Sequence, residues 1–207
     1  MTADDVACFE ACVASGGVAL FPADTVYGLA ADPGSRAAVE RLYALKGRPP
    51  ARPAAVMFFS LARALAALPD LGERTRAAAE RLLPGAVTLV LPNPERRFPL
   101  ASGPEPERLG LRVPALEGAL APLRAVASPV LQSSANPSGG RDARRLADVD
   151  PGLRAAVGAV LDGGELPGTP STVVDLTRYE RDGEYALLRE GAVDRAAIAK
   201  RLASLVN

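Results

Sequence analysis

Short apolar runs that read as buried strands alternate with amphipathic stretches that read as helices along all 207 residues. This alternation constrains the fold most, because it argues for an α/β protein built on a mixed sheet. A helix is expected over 4–15 and a strand over 18–21, ended by Pro22. Asp32-Pro33-Gly34-Ser35 opens a helix over 35–46 and Gly47 closes it. Further strands are expected at 54–59, 87–91, 109–113, 159–161, 172–176 and 185–189. Further helices are expected at 61–68, 73–83, 115–125, 151–157 and 194–205. Residues 92–107 carry Pro, Arg and Glu with little periodicity and read as a surface loop. No internal repeat or dividing linker is visible, so one domain over 1–207 is expected.

The chain has 24 basic and 24 acidic side chains and no His. Zero net charge does not announce a nucleic-acid binder, though a local basic groove is compatible with it. The lack of His excludes His-based serine-hydrolase triads and His-rich metal sites. Cys8 and Cys12, four apart on a helix, read as small apolar residues rather than a disulfide framework. The N-terminus is acidic where a signal peptide would be basic, and no apolar run approaches the ~20 residues that span a bilayer. A cytoplasmic protein with no membrane association is therefore expected.

Of the 24 basic residues only Lys46 and Lys200 are Lys. Val39, Leu42, Tyr43 and Lys46 follow one helix face, so Lys46 continues a buried stripe and must find an anion or reach solvent along its stem. Gly47 lets the chain turn and Arg48 emerges beside it, a pair of cations suited to a polyphosphate or carboxylate and equally to a helix C-terminus. The run Gln132-Ser133-Ser134-Ala135-Asn136-Pro137-Ser138-Gly139-Gly140 holds the chain's only Gln and three of its ten Ser. Such a loop offers hydroxyls and backbone N–H groups to an anion, and it also reads as an ordinary turn. Asp24-Thr25-Val26-Tyr27-Gly28 follows a buried strand, where α/β sheets tend to seat ligands. Thr88, Arg112, Ser171-Thr172 and Arg189 lie near strand ends. No Walker or dinucleotide fingerprint occurs, so any nucleotide must be held otherwise. Cations and hydroxyls gather without an obvious acid/base pair.

In order along the chain, these pieces resemble the YrdC-like threonylcarbamoyl-AMP synthase family. The matching runs are Phe21 to Leu29, Lys46-Gly47-Arg48-Pro49, Pro84 to Leu91, Leu111-Arg112-Val113-Pro114, Ser134 to Gly139, Ser171 to Asp175 and Leu188-Arg189-Glu190-Gly191, spanning 21–191. The resemblance implies a twisted mixed sheet with flanking helices around a concave, positively lined cavity. It also implies an activity, in which ATP, L-threonine and bicarbonate become threonylcarbamoyl-AMP and pyrophosphate for the threonylcarbamoyladenosine of tRNA. By position, Thr25, Arg112 and Ser171 match the threonine-binding group. Arg48, Arg52, Ser134, Asn136 and Arg189 match the ATP side, and Lys46 and Arg48 are the expected catalytic cations. Mg²⁺ is expected to arrive with ATP, with no protein-held metal. The implied role leaves room for transfer-partner proteins and an RNA contact. The chain looks like the short form of the family, without the extra C-terminal domain of longer members.

The chain also departs from the family pattern. Where members commonly have Asn-Pro and then a His at the end of the following strand, this chain has Arg52-Pro53 and Met57. The Pro-Gly-Pro turn is Pro84-Gly85-Ala86, and 140–145 lacks the usual Thr-rich run. These changes motivate a rival reading, a paralogue acting on another amino acid or carbamoyl-adenylate. A noncatalytic RNA-binding module is a third.

Overall fold

The computed structural model describes residues 1–49 and 52–203. Helix α1 (Ala3–Ala14) starts on a capping box. Thr2 Oγ1 accepts from the Asp5 amide, and the Thr2 amide donates to the Asp5 carboxylate at 2.7 Å. Strands β1 (Ala19–Pro22) and β2 (Tyr27–Ala31) pair antiparallel. Helix α2 (Arg36–Lys46) buries Ala38, Val39, Leu42, Tyr43 and Lys46 on one face. It stops where Gly47 takes a φ of 58°, a left-handed cap that glycine adopts at little steric cost.

Then follow β3 (Ala55–Met57), α3 (Leu61–Ala66), α4 (Glu73–Leu82), β4 (Val87–Pro92), α5 (Pro99–Ser102) and β5 (Arg108–Arg112). A 3-10 stretch (Gly118–Ala125) leads to β6 (Val130–Ser134), and a 3-10 turn (Leu146–Asp148) leads to α6 (Pro151–Ala155) and β7 (Ala159–Val160). Strand β8 (Thr172–Asp175), α7 (Tyr179–Asp182), β9 (Ala186–Arg189) and α8 (Arg195–Ala203) complete the described chain.

The nine strands form one sheet in the order β7-β1-β2-β6-β3-β5-β4-β8-β9. Three pairings are parallel (β1 with β7, β3 with β5, β4 with β8) and the others antiparallel, so the sheet is mixed, as expected. Phe9 of α1 seats the first helix on this sheet, with ring centroids 5.4 Å from Phe21 and 5.8 Å from Phe59. Among the described residues no helix is long and apolar enough to cross a membrane.

Several elements differ from the sequence expectation. Strand β2 was not anticipated, because Gly28, Ala30 and Ala31 carry little strand propensity and gain their place by pairing on both sides. The stretch 92–107 is not all surface loop, since α5 buries Ala101 and Ser102. The stretch 115–125 forms a 3-10 helix with Pro122 inside it, not an α-helix. Strand β6 continues through Ser134 into the Ser/Asn run, and α7 was not anticipated. Cys12 is half-buried and Cys8 exposed, so only one of the two behaves as packing. The end of the helix expected to reach 205 lies outside the described residues.

Candidate active site

One face of the sheet carries a cavity of about 490 Å³. Its floor follows from register, with Gln132 of β6 opposite Ala55 of β3, Ala55 opposite Gly110 of β5, and Gly110 opposite Val90 of β4. The small residues Ala55 and Gly110 leave depth in the middle of that row. A Cβ on Gly110 would lie 3.1 Å from the Ala55 Cα, so the floor is also tight. Polar groups gather on both flanks. Strands β6 and β8 are four positions apart, or ~19 Å at the usual ~4.8 Å spacing.

On the β4–β5–β8 flank, Arg112 is the organising residue, and it is only 2% exposed. Its Nη1 donates to the carbonyls of Gly85 and of Val87, the latter at 2.9 Å. Its Nη2 donates to the Asp24 carboxylate and to Thr25 Oγ1 at 3.3 Å. The other Asp24 oxygen accepts from the Ala115 amide at 2.9 Å. The ion pair with Asp24 compensates a charge that burial alone would make costly. Beside this pair, Thr88 Oγ1 and Ser171 Oγ are 2.8 Å apart. Arg189 donates from Nη2 to the Ser171 carbonyl at 2.7 Å and reaches its hydroxyl at 3.4 Å.

On the β6 flank, Arg48 lies over the Tyr43 ring at 5.5 Å. It donates to the Pro53 carbonyl and reaches Ser133 Oγ at 3.4 Å. Burial pushes its guanidinium below the usual arginine range. Lys46 is 4% exposed and stands behind this flank, its ammonium bonded to the Ser134 and Asn136 carbonyls and to Asn136 Oδ1. Burial, assisted by Arg48, pushes its pKa down to about 8. Among the described residues no group of three His, Cys, Asp or Glu side chains gathers to hold a metal ion.

Six of the nine residues assigned catalytic, threonine or ATP roles in sequence thus line one cavity: Thr25, Arg48, Arg112, Ser134, Ser171 and Arg189, joined by Thr88, Gln132 and Ser133. Lys46 and Asn136 lie behind its wall. Arg52, expected on the ATP side, is exposed and outside the lining; its carbonyl accepts from Tyr43 Oη at 3.2 Å. Met57 is fully buried, paired across the sheet with Arg112 and Val130, and outside the cavity lining. Arg189, expected with the nucleotide set, sits against Ser171, expected with the threonine set.

Asp24, Arg108 and Asp142 were given no role in sequence. Asp24 is the only charged residue in the apolar stretch 18–31, a signal that could have found it. Strand alternation places Arg108, Gly110 and Arg112 on one face, which could have found Arg108. Arg108 bonds Asp175 at 2.6 Å and Glu105 at 3.2 Å at the cavity rim.

The Sua5/YciO/YrdC family model, described as telomere recombination, matches residues 11–191. The threonylcarbamoyl-AMP synthase of Pyrococcus abyssi is 32% identical over 189 residues, covering 91% of this chain and 54% of its own. That of Bacillus subtilis is 31% identical over 183 residues, covering 87% and 51%. The chain thus spans about half the length of these two relatives. The structure of P. abyssi Sua5 complexed with L-threonine superposes with a TM-score of 0.80 at 28% identity, over 97% of this chain and 58% of that one. Escherichia coli YciO superposes with a TM-score of 0.73 at 25% identity, over 97% and 94%. A family match along most of its length, and a fold shared with solved members, mean that this chain belongs to the Sua5/YciO/YrdC family.

Proposed function

We propose that the chain is an L-threonylcarbamoyladenylate synthase, a nucleotidyltransferase that joins ATP, L-threonine and bicarbonate and releases pyrophosphate. The observation that carries this reading is the cavity itself. It sets a compact group of hydroxyls and guanidinium groups on one flank and a cation with serine hydroxyls on the other. Its volume of about 490 Å³ lies in the range of small-molecule sites. The family's relatives named threonylcarbamoyl-AMP synthase support the same reading.

In this reading the amine of threonine attacks the carbon of carbon dioxide and gives up a proton, or attacks that of bicarbonate with loss of water, forming a carbamate. A carbamate oxygen then attacks the α-phosphorus of ATP, and the bond to the β-phosphate bridging oxygen breaks to release pyrophosphate. No side chain acts as nucleophile, so the protein contributes position and charge. Thr25 and Ser171 hold the threonine end. Arg112, whose Nη groups are occupied, fixes the Thr25 hydroxyl and the chain around it. Arg189, lying against Ser171, faces the joint between amino acid and α-phosphate. Arg48 and Ser134 take the triphosphate side. Mg²⁺ enters as part of the MgATP substrate and offsets phosphate charge there. The product would pass to tRNA modification, through partner proteins or a direct RNA contact, in a cytoplasmic setting.

The test is pyrophosphate release with ATP and bicarbonate across a panel of amino acids. Strong preference for threonine is expected. Turnover with another amino acid in its place would replace this reading with the paralogue, which the burial of Met57 where members have His keeps in view. Binding of tRNA without any turnover would favour the RNA-binding module.

A further inference from the structure

A buried ammonium needs an acceptor for each of its three protons, and Lys46 finds all three in one corner of the neighbouring chain. Nζ donates to the Ser134 carbonyl, to the Asn136 carbonyl at 2.6 Å and to Asn136 Oδ1 at 3.1 Å. The bonding is returned, since the Ser138 amide donates to the Lys46 carbonyl at 2.8 Å. Asn136 Oδ1 also accepts from Ser134 Oγ at 2.5 Å, and Asn136 Nδ2 donates to the Gly140 carbonyl. The ammonium therefore closes a ring of bonds that joins the end of α2 to the end of β6. It stands behind the cavity wall, whereas Ser133 and Ser134 in front of it line the cavity. A tetrahedral ammonium can serve three acceptors crowded within one turn, and a planar guanidinium cannot. That accounts for a Lys here in a chain whose basic residues, apart from Lys46 and Lys200, are all Arg.

We propose that Lys46 is a positioning residue for the nucleotide: it holds the corner from Ser134 to Asn136 in the shape that presents Ser133 and Ser134 to the cavity, and its charge does not touch the phosphates. The proposal rests on the reading above that the Arg48 flank receives ATP. Burial pushes the ammonium down to about 8; Arg48 and Arg52 act in the same direction and Asp142 opposes them. An amine left with two protons cannot serve three acceptors, so the corner loosens as pH rises through that value.

The experiment titrates AMP, ADP and ATP into the full chain, as wild type, Lys46→Met, Lys46→Arg and Arg48→Ala. A positioning role weakens all three nucleotides by the same factor in Lys46→Met, roughly tenfold, with no rescue by Lys46→Arg. Arg48→Ala serves as the contrast, with a loss that grows from AMP to ATP. Amide hydrogen exchange at 134–140 is expected to quicken in Lys46→Met while α4 is unchanged. A Lys46→Met loss that grows with phosphate number, or full rescue by Lys46→Arg, would overturn the proposal.

If Lys46→Met does not fold, the wild type decides alone. Its affinities for AMP and ATP are expected to fall in parallel above about pH 8. A profile flat through about pH 9.5, or a fall for ATP alone, would overturn the proposal while leaving the synthase reading intact. Failure of the wild type to bind any of the three nucleotides would overturn both.

Discussion

Arg112 keeps a charge at 2% exposure because Asp24 answers it, two carbonyls and a hydroxyl take its other bonds, and the Ala115 amide ties down the free oxygen of Asp24. Removing one member strands the other. Asp24→Ala is therefore expected to lower stability by about 3–5 kcal/mol, the usual result of breaking a buried pair from one side. Urea unfolding measures this, and a loss under about 1 kcal/mol would mean that solvent reaches Arg112. The two arginines after α2 differ in the same local way. Arg48 lines the cavity and Arg52 does not. Arg48→Ala is expected to cut kcat/KM for pyrophosphate release roughly a hundredfold, as when a charge aimed at the transition state is removed. Arg52→Ala is expected to leave it within about twofold. Equal losses in steady-state kinetics would put both guanidinium groups on the ligand.

At the scale of elements, what aims Arg48 is the stop of α2. Gly47 sits at φ 58° with open space where a Cβ would stand, so a substitution there meets backbone strain and nothing else. Gly47→Ala is expected to cost about 1 kcal/mol in urea unfolding, and Gly47→Asn less, because Asn tolerates the left-handed region. Strand β5 sets the cavity floor in a comparable way. Gly110→Val would push against Ala55 across the β3–β5 pair and fill the middle of the floor. It is expected to destabilise by roughly 1–3 kcal/mol and to abolish nucleotide binding that calorimetry detects in the wild type. Retained affinity would place the ligand away from the Ala55–Gly110 floor.

Across the whole molecule, the cavity draws on loops and strands far apart in sequence, from Thr25 to Arg189. A ligand that touches both flanks therefore couples distant parts of the sheet. ATP and threonine together are expected to raise the melting temperature more than either alone, and each with the logarithm of its concentration relative to its Kd. A ligand at a hundred times its Kd contributes about 2.7 kcal/mol. Serine in place of threonine is expected to give a smaller shift, since a missing methyl contact is worth about 1–3 kcal/mol. Identical shifts for the two amino acids in a thermal scan would remove the methyl from recognition.

The sequence by itself determined the alternating α/β pattern, the helix that ends at Lys46 and the strands that carry Thr88, Arg112 and Arg189. These are local matters, in which periodicity of apolar residues, a serine N-cap and a glycine stop suffice. It also marked several residues that line the cavity, Thr25, Arg48, Arg112, Ser134, Ser171 and Arg189 among them, because they fall in loops and at strand ends where α/β sheets seat ligands. Strand β2 was out of reach, because Gly28, Ala30 and Ala31 become a strand only when β1 and β6 flank them. What Lys46, Asn136 and Asp24 bond to was decided by tertiary structure alone. Partners 88 and 90 residues away determine whether a cation faces a ligand or a carbonyl, and no local pattern records that distance.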